Sequence, residues 1–300
     1  MDNVPGLASE YTEQVGPQNP PFFLGYWYDE EKGKTVRRWM ENRGGYAVIQ
    51  GDMILGPVEK FSQAGSDKAT FFTNSKQWTW AIVPFEIPDD FPEKKKVLAA
   101  VEEFNQKTEI QFRPRESGDK NWITFQLYPA PLPGKEDPFL NVGGDSQYGR
   151  RSSAGEQRVR LNRYGHFSTG TIIHELCHAL GQGHEQNRQN RNDFVEIHKE
   201  NIARDSHGDI PDVTAAQFDI LNPGKDYNEI YDFDSISHYP QGAFAASGKA
   251  TIVAKDSLAK GTYVGNPKKF GNKEHLSIGD IQGLNGVYHD QIEARKKQPH

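Results

Sequence analysis

One stretch gathers the residues with the most chemistry to offer: Thr171-Ile-Ile-His174-Glu175-Leu-Cys-His178-Ala-Leu-Gly181-Gln-Gly-His184-Glu185. On a helix, residues four apart stack on one face, so His174 and His178 can aim two imidazoles at a single ion. Gly181 accepts the left-handed backbone of a C-terminal cap, which ends the helix and lets the chain bring His184 back to the same ion. Three neutral histidines leave a fourth position open, the arrangement of a catalytic rather than a structural zinc site. Glu175, beside the first histidine, can reach the water that such an ion would activate and serve as its general base.

That constellation needs a helix anchored in a core, and Ile172, Ile173, Leu176, Cys177 and Leu180 supply the apolar remainder. Cys177 is the one cysteine, so the chain forms no internal disulfide, and it reads as a buried core thiol. His238 reads as structural. Upstream, Trp80 to Ile87 reads as a strand in which Pro84 points to an edge or a bulge. Pro92 opens a helix with Val97, Leu98, Val101 and Phe104 on one face. Ile110 to Arg113, Trp122 to Leu127 and Gln157 to Leu161 read as further strands. After His184 the pattern loosens into Pro- and Gly-rich loops. A final helix spans about Ile278 to Ala294, with Ser277 and Asp280 as a capping box and Ile278, Ile281, Leu284 and Tyr288 as its buried stripe. The fold class expected is α+β.

Before this body, residues 1–20 are polar and Pro-rich, and the aromatics Phe22, Phe23, Tyr26, Trp27, Tyr28 and Trp39 sit in a segment too short to bury them alone. It is expected to pack on the rest of the chain. Tyr46 to Ile49 reads as a strand broken by Gly51-Asp52 and closed by Gly56-Pro57, and residues 63–67 read as a linker. The chain of 300 residues carries a net charge of −6, which argues against a nucleic-acid partner. No apolar run approaches the roughly 18 residues that span a bilayer. Met1-Asp2-Asn3-Val4 opens no signal peptide.

The extended histidine motif is the metzincin signature, and Glu185 after the third histidine makes it resemble the astacins. Trp80-Ala-Ile-Val-Pro84-Phe-Glu-Ile87, Ile110-Gln-Phe-Arg-Pro114, Tyr148-Gly-Arg150, Glu156-Gln-Arg-Val-Arg-Leu161, Arg191-Asn-Asp193 and Tyr231-Asp-Phe-Asp-Ser235-Ile-Ser-His-Tyr239 resemble further segments of that family. The likeness covers about Trp78 to Tyr288. It implies a two-lobed zinc protease with a twisted sheet and two long helices in the upper lobe (about 69–184). The lower lobe (about 185–300) would be mostly irregular, with a C-terminal helix. It also implies one catalytic zinc ion on His174, His178 and His184, Glu175 as base, and Tyr239 as an oxyanion donor. Glu185 would anchor the amino terminus of a processed enzyme.

Val48-Ile-Gln-Gly51-Asp52-Met53 resembles the family's propeptide motif, which makes residues 1–68 a propeptide with Asp52 as its zinc plug and Lys68–Ala69 the bond to be cut. Protein or peptide substrates, an activating protease, a monomeric state and a secreted location follow as expectations, with the secretion signal absent from this sequence. Two departures stand out: Ser237 replaces the methionine of the family's Met-turn, and the disulfides usual in animal members are missing, as in a bacterial-type member. Ser237 is the one residue favouring a competing class, a catalytically weak or dead zinc-containing peptide-binding relative.

Overall fold

The computed structural model describes residues 22–29, 34–61, 77–130, 142–151, 154–220, 230–246 and 248–298. Its main feature is a nine-stranded mixed sheet in the order β1-β2-β3-β4-β8-β9-β7-β5-β6. The strands are β1 (Phe22–Asp29), β2 (Lys34–Arg43), β3 (Tyr46–Ile49), β4 (Met53–Pro57), β5 (Ile82–Glu86), β6 (Gln111–Pro114), β7 (Asn121–Leu127), β8 (Gly144–Gln147) and β9 (Gly155–Leu161). Four antiparallel N-terminal strands thus form one half of the sheet. They join the other half where β4 runs parallel to β8, Met53 opposite Ser146 and Ile54 opposite Gln147. Ser146 and Tyr148 donate their amides to the Asp52 and Ile54 carbonyls at 2.9 and 3.1 Å. The expectation that the aromatic N-terminal segment packs on the rest of the chain is met by this strand addition, a means sequence alone did not indicate.

Of the edge or bulge that Pro84 pointed to, the edge is not found, for β6 lies on one side of β5 and β7 on the other. Its pairing with β7 begins only at Phe85, one residue past the proline, so the missing amide falls where no ladder bond is required. Helix α1 (Lys94–Lys107) buries Val97, Ala100, Val101 and Phe104. Leu98 was placed on that stripe but is exposed; Ala100 completes the face, at i+3 from Val97 and i−4 from Phe104.

Helix α2 (Thr169–Ala179) starts on a reciprocal capping box in which the Ser168 hydroxyl accepts the Thr171 amide and the Thr171 hydroxyl accepts the Ser168 amide. It ends at Gly181, whose φ of +94° is the left-handed cap expected of a glycine there. The predicted C-terminal helix is two: α4 (Ile278–Val287) and α5 (His289–Lys296), either side of Tyr288; α3 is the short turn Asp212–Ala215. Ile278 proves exposed, because the first turn of α4 is held by its Ser277–Asp280 capping box and not by packing.

The main core joins Trp78, Phe85, Phe104, Phe125, Val159, Ile173 and Leu176 to Leu284, Tyr288 and Ile292. A second core under the loops after His184 holds Phe194, Tyr231, Phe233 and Phe270. Among the described residues neither contains one before Trp78, so the part from there on has its own hydrophobic interior. Met40, Ala47, Ile49, Met53, Leu55 and Phe61 form a third, separate cluster. No described helix is long and apolar enough to cross a membrane.

Helix α2 is seated by contact without a side chain. A Cβ built at Gly170 would lie 1.9 Å from the Lys273 carbonyl oxygen and 2.4 Å from its carbon. Both neighbours are backbone, so neither can rotate away. Gly170→Ala is therefore expected to destabilise the fold by about 2–3 kcal/mol despite alanine's better helix propensity, read as a fall in melting temperature. An unchanged or higher value would show that this contact does not set the position of α2.

Candidate active site

His174 and His178 project from one face of α2, and the turn through Gly181 returns His184 to them. Their rings pack at 4.5 Å (His174–His178), 4.8 Å (His178–His184) and 5.3 Å (His174–His184) between centroids. Asp52 enters from the N-terminal half of the sheet. Its Oδ2 lies 3.2 Å from His174 Nε2 and 3.2 Å from His184 Nε2, and its Oδ1 lies 3.6 Å from His178 Nε2.

Each imidazole is oriented by an acceptor behind it. His174 Nδ1 lies 2.9 Å from the Ile236 carbonyl, His178 Nδ1 2.7 Å from the Gln182 carbonyl, and His184 Nδ1 3.2 Å from the Gln50 side-chain oxygen. A carbonyl cannot donate, so every Nδ1 carries the proton and every Nε2 turns a lone pair inward. Burial, the largest influence, lowers the His174 pKa and brings that of His184 down to about 4, which keeps both rings neutral. His174 Nε2 and His178 Nε2 are 3.0 Å apart with no proton to share.

Three inward lone pairs and a carboxylate repel one another unless a cation stands between them. His184 Nε2 and Asp52 Oδ1 are both buried without a hydrogen-bond partner. Ligand atoms about 2.0–2.2 Å from a tetrahedral zinc ion lie roughly 3.3–3.6 Å from one another. The separations given above, 3.0 to 3.6 Å, lie close to that spacing, and the four donor atoms all fall within 4.8 Å of one another. The donor set fits zinc.

Glu175 lies beneath β8, where Gly144 makes room for it: a Cβ there would be 2.8 Å from Glu175 Oε1. Its Oε2 is buried without a hydrogen bond. Burial first, then the charges of Asp52 and Asp145, push its pKa well above that of an ordinary carboxylate. The Tyr239 ring packs against His184 at 4.6 Å between centroids, tilted by 52°, and its hydroxyl donates to the Gln50 carbonyl at 2.7 Å. Glu185 Oε1 accepts from Arg188 Nη1 at 2.8 Å and from the Asp232 amide at 2.9 Å, and burial raises its pKa to about 7. His238 is buried, accepting the Tyr231 hydroxyl at 2.7 Å. Cys177 is buried too, with its thiol pushed up by that burial.

Sequence reasoning overlooked two contributors. Gln50 engages both His184 and Tyr239, and no motif marks it. Asp280 was read only as a cap, yet its carboxylate also accepts the Ile236 amide at 2.9 Å, the Ser235 hydroxyl at 2.7 Å and the Gln182 side-chain amide at 2.6 Å. It thereby braces the two residues whose carbonyls orient His174 and His178. Ser237 sits in this turn, fully buried, with no oxygen or nitrogen partner for its hydroxyl and only the Cys177 thiol beside it. Ser237→Met is accordingly expected to leave the melting temperature equal or higher, since it exchanges a poorly satisfied hydroxyl for an apolar group. A drop of several degrees would reveal a polar partner for Ser237.

Comparison with known proteins agrees with this architecture. The family model for Astacin, a peptidase family, matches residues 71–289. Zinc metalloproteinase nas-7 of Caenorhabditis elegans is 31% identical over 75% of this chain and 51% of its own length. Protein SpAN of the sea urchin Strongylocentrotus purpuratus is 26% identical over 82% of this chain and 38% of its own. The chain thus spans about two-fifths to one-half of these curated relatives. Among solved structures, high choriolytic enzyme 1, a hatching-enzyme zinc protease of the medaka Oryzias latipes, superposes with a TM-score of 0.54 at 29% identity, covering 71% of this chain and 93% of that one. With the family model matching residues 71–289, which include all three histidines of the cluster, the chain belongs to the astacin family of zinc metalloendopeptidases.

Proposed function

We propose that this chain is a secreted endopeptidase in latent form, in which residues 1–68 are a propeptide and residues 69–300 the catalytic domain. The observation that carries this reading is Asp52: a carboxylate from outside the catalytic part occupies the open side of a three-histidine site. His174, His178 and His184 would hold the ion and Asp52 would fill the position that substrate and water need. Zinc, when bound, supplies the Lewis acidity that polarises a peptide carbonyl.

The remaining work falls to side chains of the protein. Glu175 takes a proton from the attacking water and returns it to the departing amine, a task that favours a carboxyl with a raised pKa. Tyr239, once freed from the Gln50 carbonyl, donates its hydroxyl to the developing oxyanion. Glu185 receives the new amino terminus in place of its bond to Arg188. The substrates are proteins or peptides, and the activator is a protease of trypsin-like preference. The bond assigned to it, Lys68–Ala69, lies outside the described residues.

Glu175→Gln in the processed protein is expected to keep about one zinc per chain while peptide hydrolysis falls by ~10²–10⁴-fold or more; His178→Ala is expected to lose the metal itself. Substantial turnover by a contaminant-free Glu175→Gln preparation would remove Glu175 from the role of base. For latency, the intact chain is assayed on a peptide substrate before and after trypsin trimming. Activity is expected only after trimming, and an Asp52→Ala variant is expected to leak activity while intact. Full activity before trimming, or an Asp52→Ala variant as silent as the parent, would rule out the plug.

A further inference from the structure

A second contact ties the N-terminal half of the sheet to the catalytic part, close to the histidine cluster but separate from it. Asp145 is on β8, the strand that carries β4, and its side chain is fully buried. Arg160, opposite it on β9, grips it with two bonds, Nε to Oδ1 at 2.8 Å and Nη2 to Oδ2 at 2.7 Å. The other donor on Oδ2 comes from outside the catalytic part: Arg43 Nη1 of β2, at 2.7 Å. The same guanidinium bonds Glu41 at 2.9 and 2.7 Å and the Gly51 carbonyl at 2.7 Å, and its side chain is 2% exposed. An arginine from the proposed propeptide is therefore seated on a catalytic-domain carboxylate, bonded to the residue next to the plug.

Removal of residues 1–68 takes away Arg43, Glu41 and Gly51 together. Asp145 and Arg160 stay, with one acceptor position on Oδ2 vacated and a guanidinium-sized space before it. At the same time β8 loses β4 and presents a free edge. An extended peptide added to that edge projects alternate side chains to each face of the sheet, and one of those faces carries Asp145. We infer that Asp145 forms a substrate subsite for an arginine side chain flanking the scissile bond, and that Arg43 fills this subsite in the intact chain. Arg160 fixes the carboxylate in the orientation that offers its remaining lone pair to the incoming guanidinium. The acid is a specificity-determining residue and takes no part in bond breaking. This inference rests on the latent-endopeptidase reading given above.

The test uses the full chain, folded and then trimmed within residues 62–76, with the released N-terminal part removed. Matched peptides carry arginine, or citrulline of the same shape without the charge, at each position around the cut. At one flanking position arginine is expected to be cut with a kcat/KM on the order of tenfold to a hundredfold above citrulline, the worth of a hydrogen bond between charged partners. Asp145→Asn should bring that ratio close to one. Since Asp145 also holds Arg160, its loss could unsettle the fold, and a measurement on the unsubstituted protein stands beside it. Acetyl-arginine amide should inhibit competitively where acetyl-citrulline amide does not. Equal cutting of arginine and citrulline at every position, or an arginine preference that survives in folded Asp145→Asn, would overturn the subsite. So would equal inhibition by the two amides. Hydrolysis without preference defeats this inference alone, whereas no hydrolysis of any peptide defeats the endopeptidase reading along with it.

Discussion

Four electron-rich atoms with no proton among them set the terms for the rest of this molecule. His174, His178 and His184 each spend their one N–H on an acceptor behind the ring, and Asp52 adds a negative charge in front. Left to themselves these groups would separate. They are held by a helix seated through Gly170, a left-handed cap at Gly181, and a buried carboxylate at Asp280 that braces the Met-turn and the end of α2 from below. A buried acid is costly unless its oxygens are satisfied. Asp280 meets that condition with donors from three segments, so the same residue caps α4 and secures the floor of the site.

The N-terminal half of the sheet works through backbone as much as side chains. Its β3–β4 turn places Gln50 and Gly51 at φ of +51° and +83°, and a left-handed glutamine persists only where its surroundings hold it. Here they do: its side chain meets His184 and the Asp219 carbonyl, and its own carbonyl takes the Tyr239 hydroxyl. One strained residue thus withholds the tyrosine while the next but one withholds the metal position. On the proposed reading, latency consists of two occupied positions and not one.

What could be read in the sequence was whatever repeats at short range. The i, i+4 histidines, the glycine that ends their helix and the Ser277–Asp280 box are local patterns, and each stands in the structure. Tyr46–Ile49 was legible as a strand for the same reason. Leu98 and Ile278 misled because a period of 3.6 fixes a face but not the width of what packs against it. β8 was invisible: Gly144-Asp-Ser-Gln147 has no strand-like composition, and it is a strand only because β9 and β4 flank it. Gln50 went unremarked because its partners are over a hundred residues away, and so is the Arg43 that meets Asp145 from outside its own hairpin. The family resemblance could not supply Asp145, which falls in no segment that carried it, and around Gln50 it marked only the neighbouring Gly51 and Asp52.

β8 also bears on solubility. A strand that accepts a passing peptide along its edge, as proposed for β8, is open to another copy of itself, and unpaired strand edges are where sheets grow from molecule to molecule. Four residues, one of them a glycine and one a buried acid, make a poor template for such growth while still offering the amides of Ser146 and Tyr148. While the four N-terminal strands are in place, β4 covers that edge at Ser146 and Gln147. Beyond silencing the site, they would keep the chain from aggregating through β8 until it reaches its place of use.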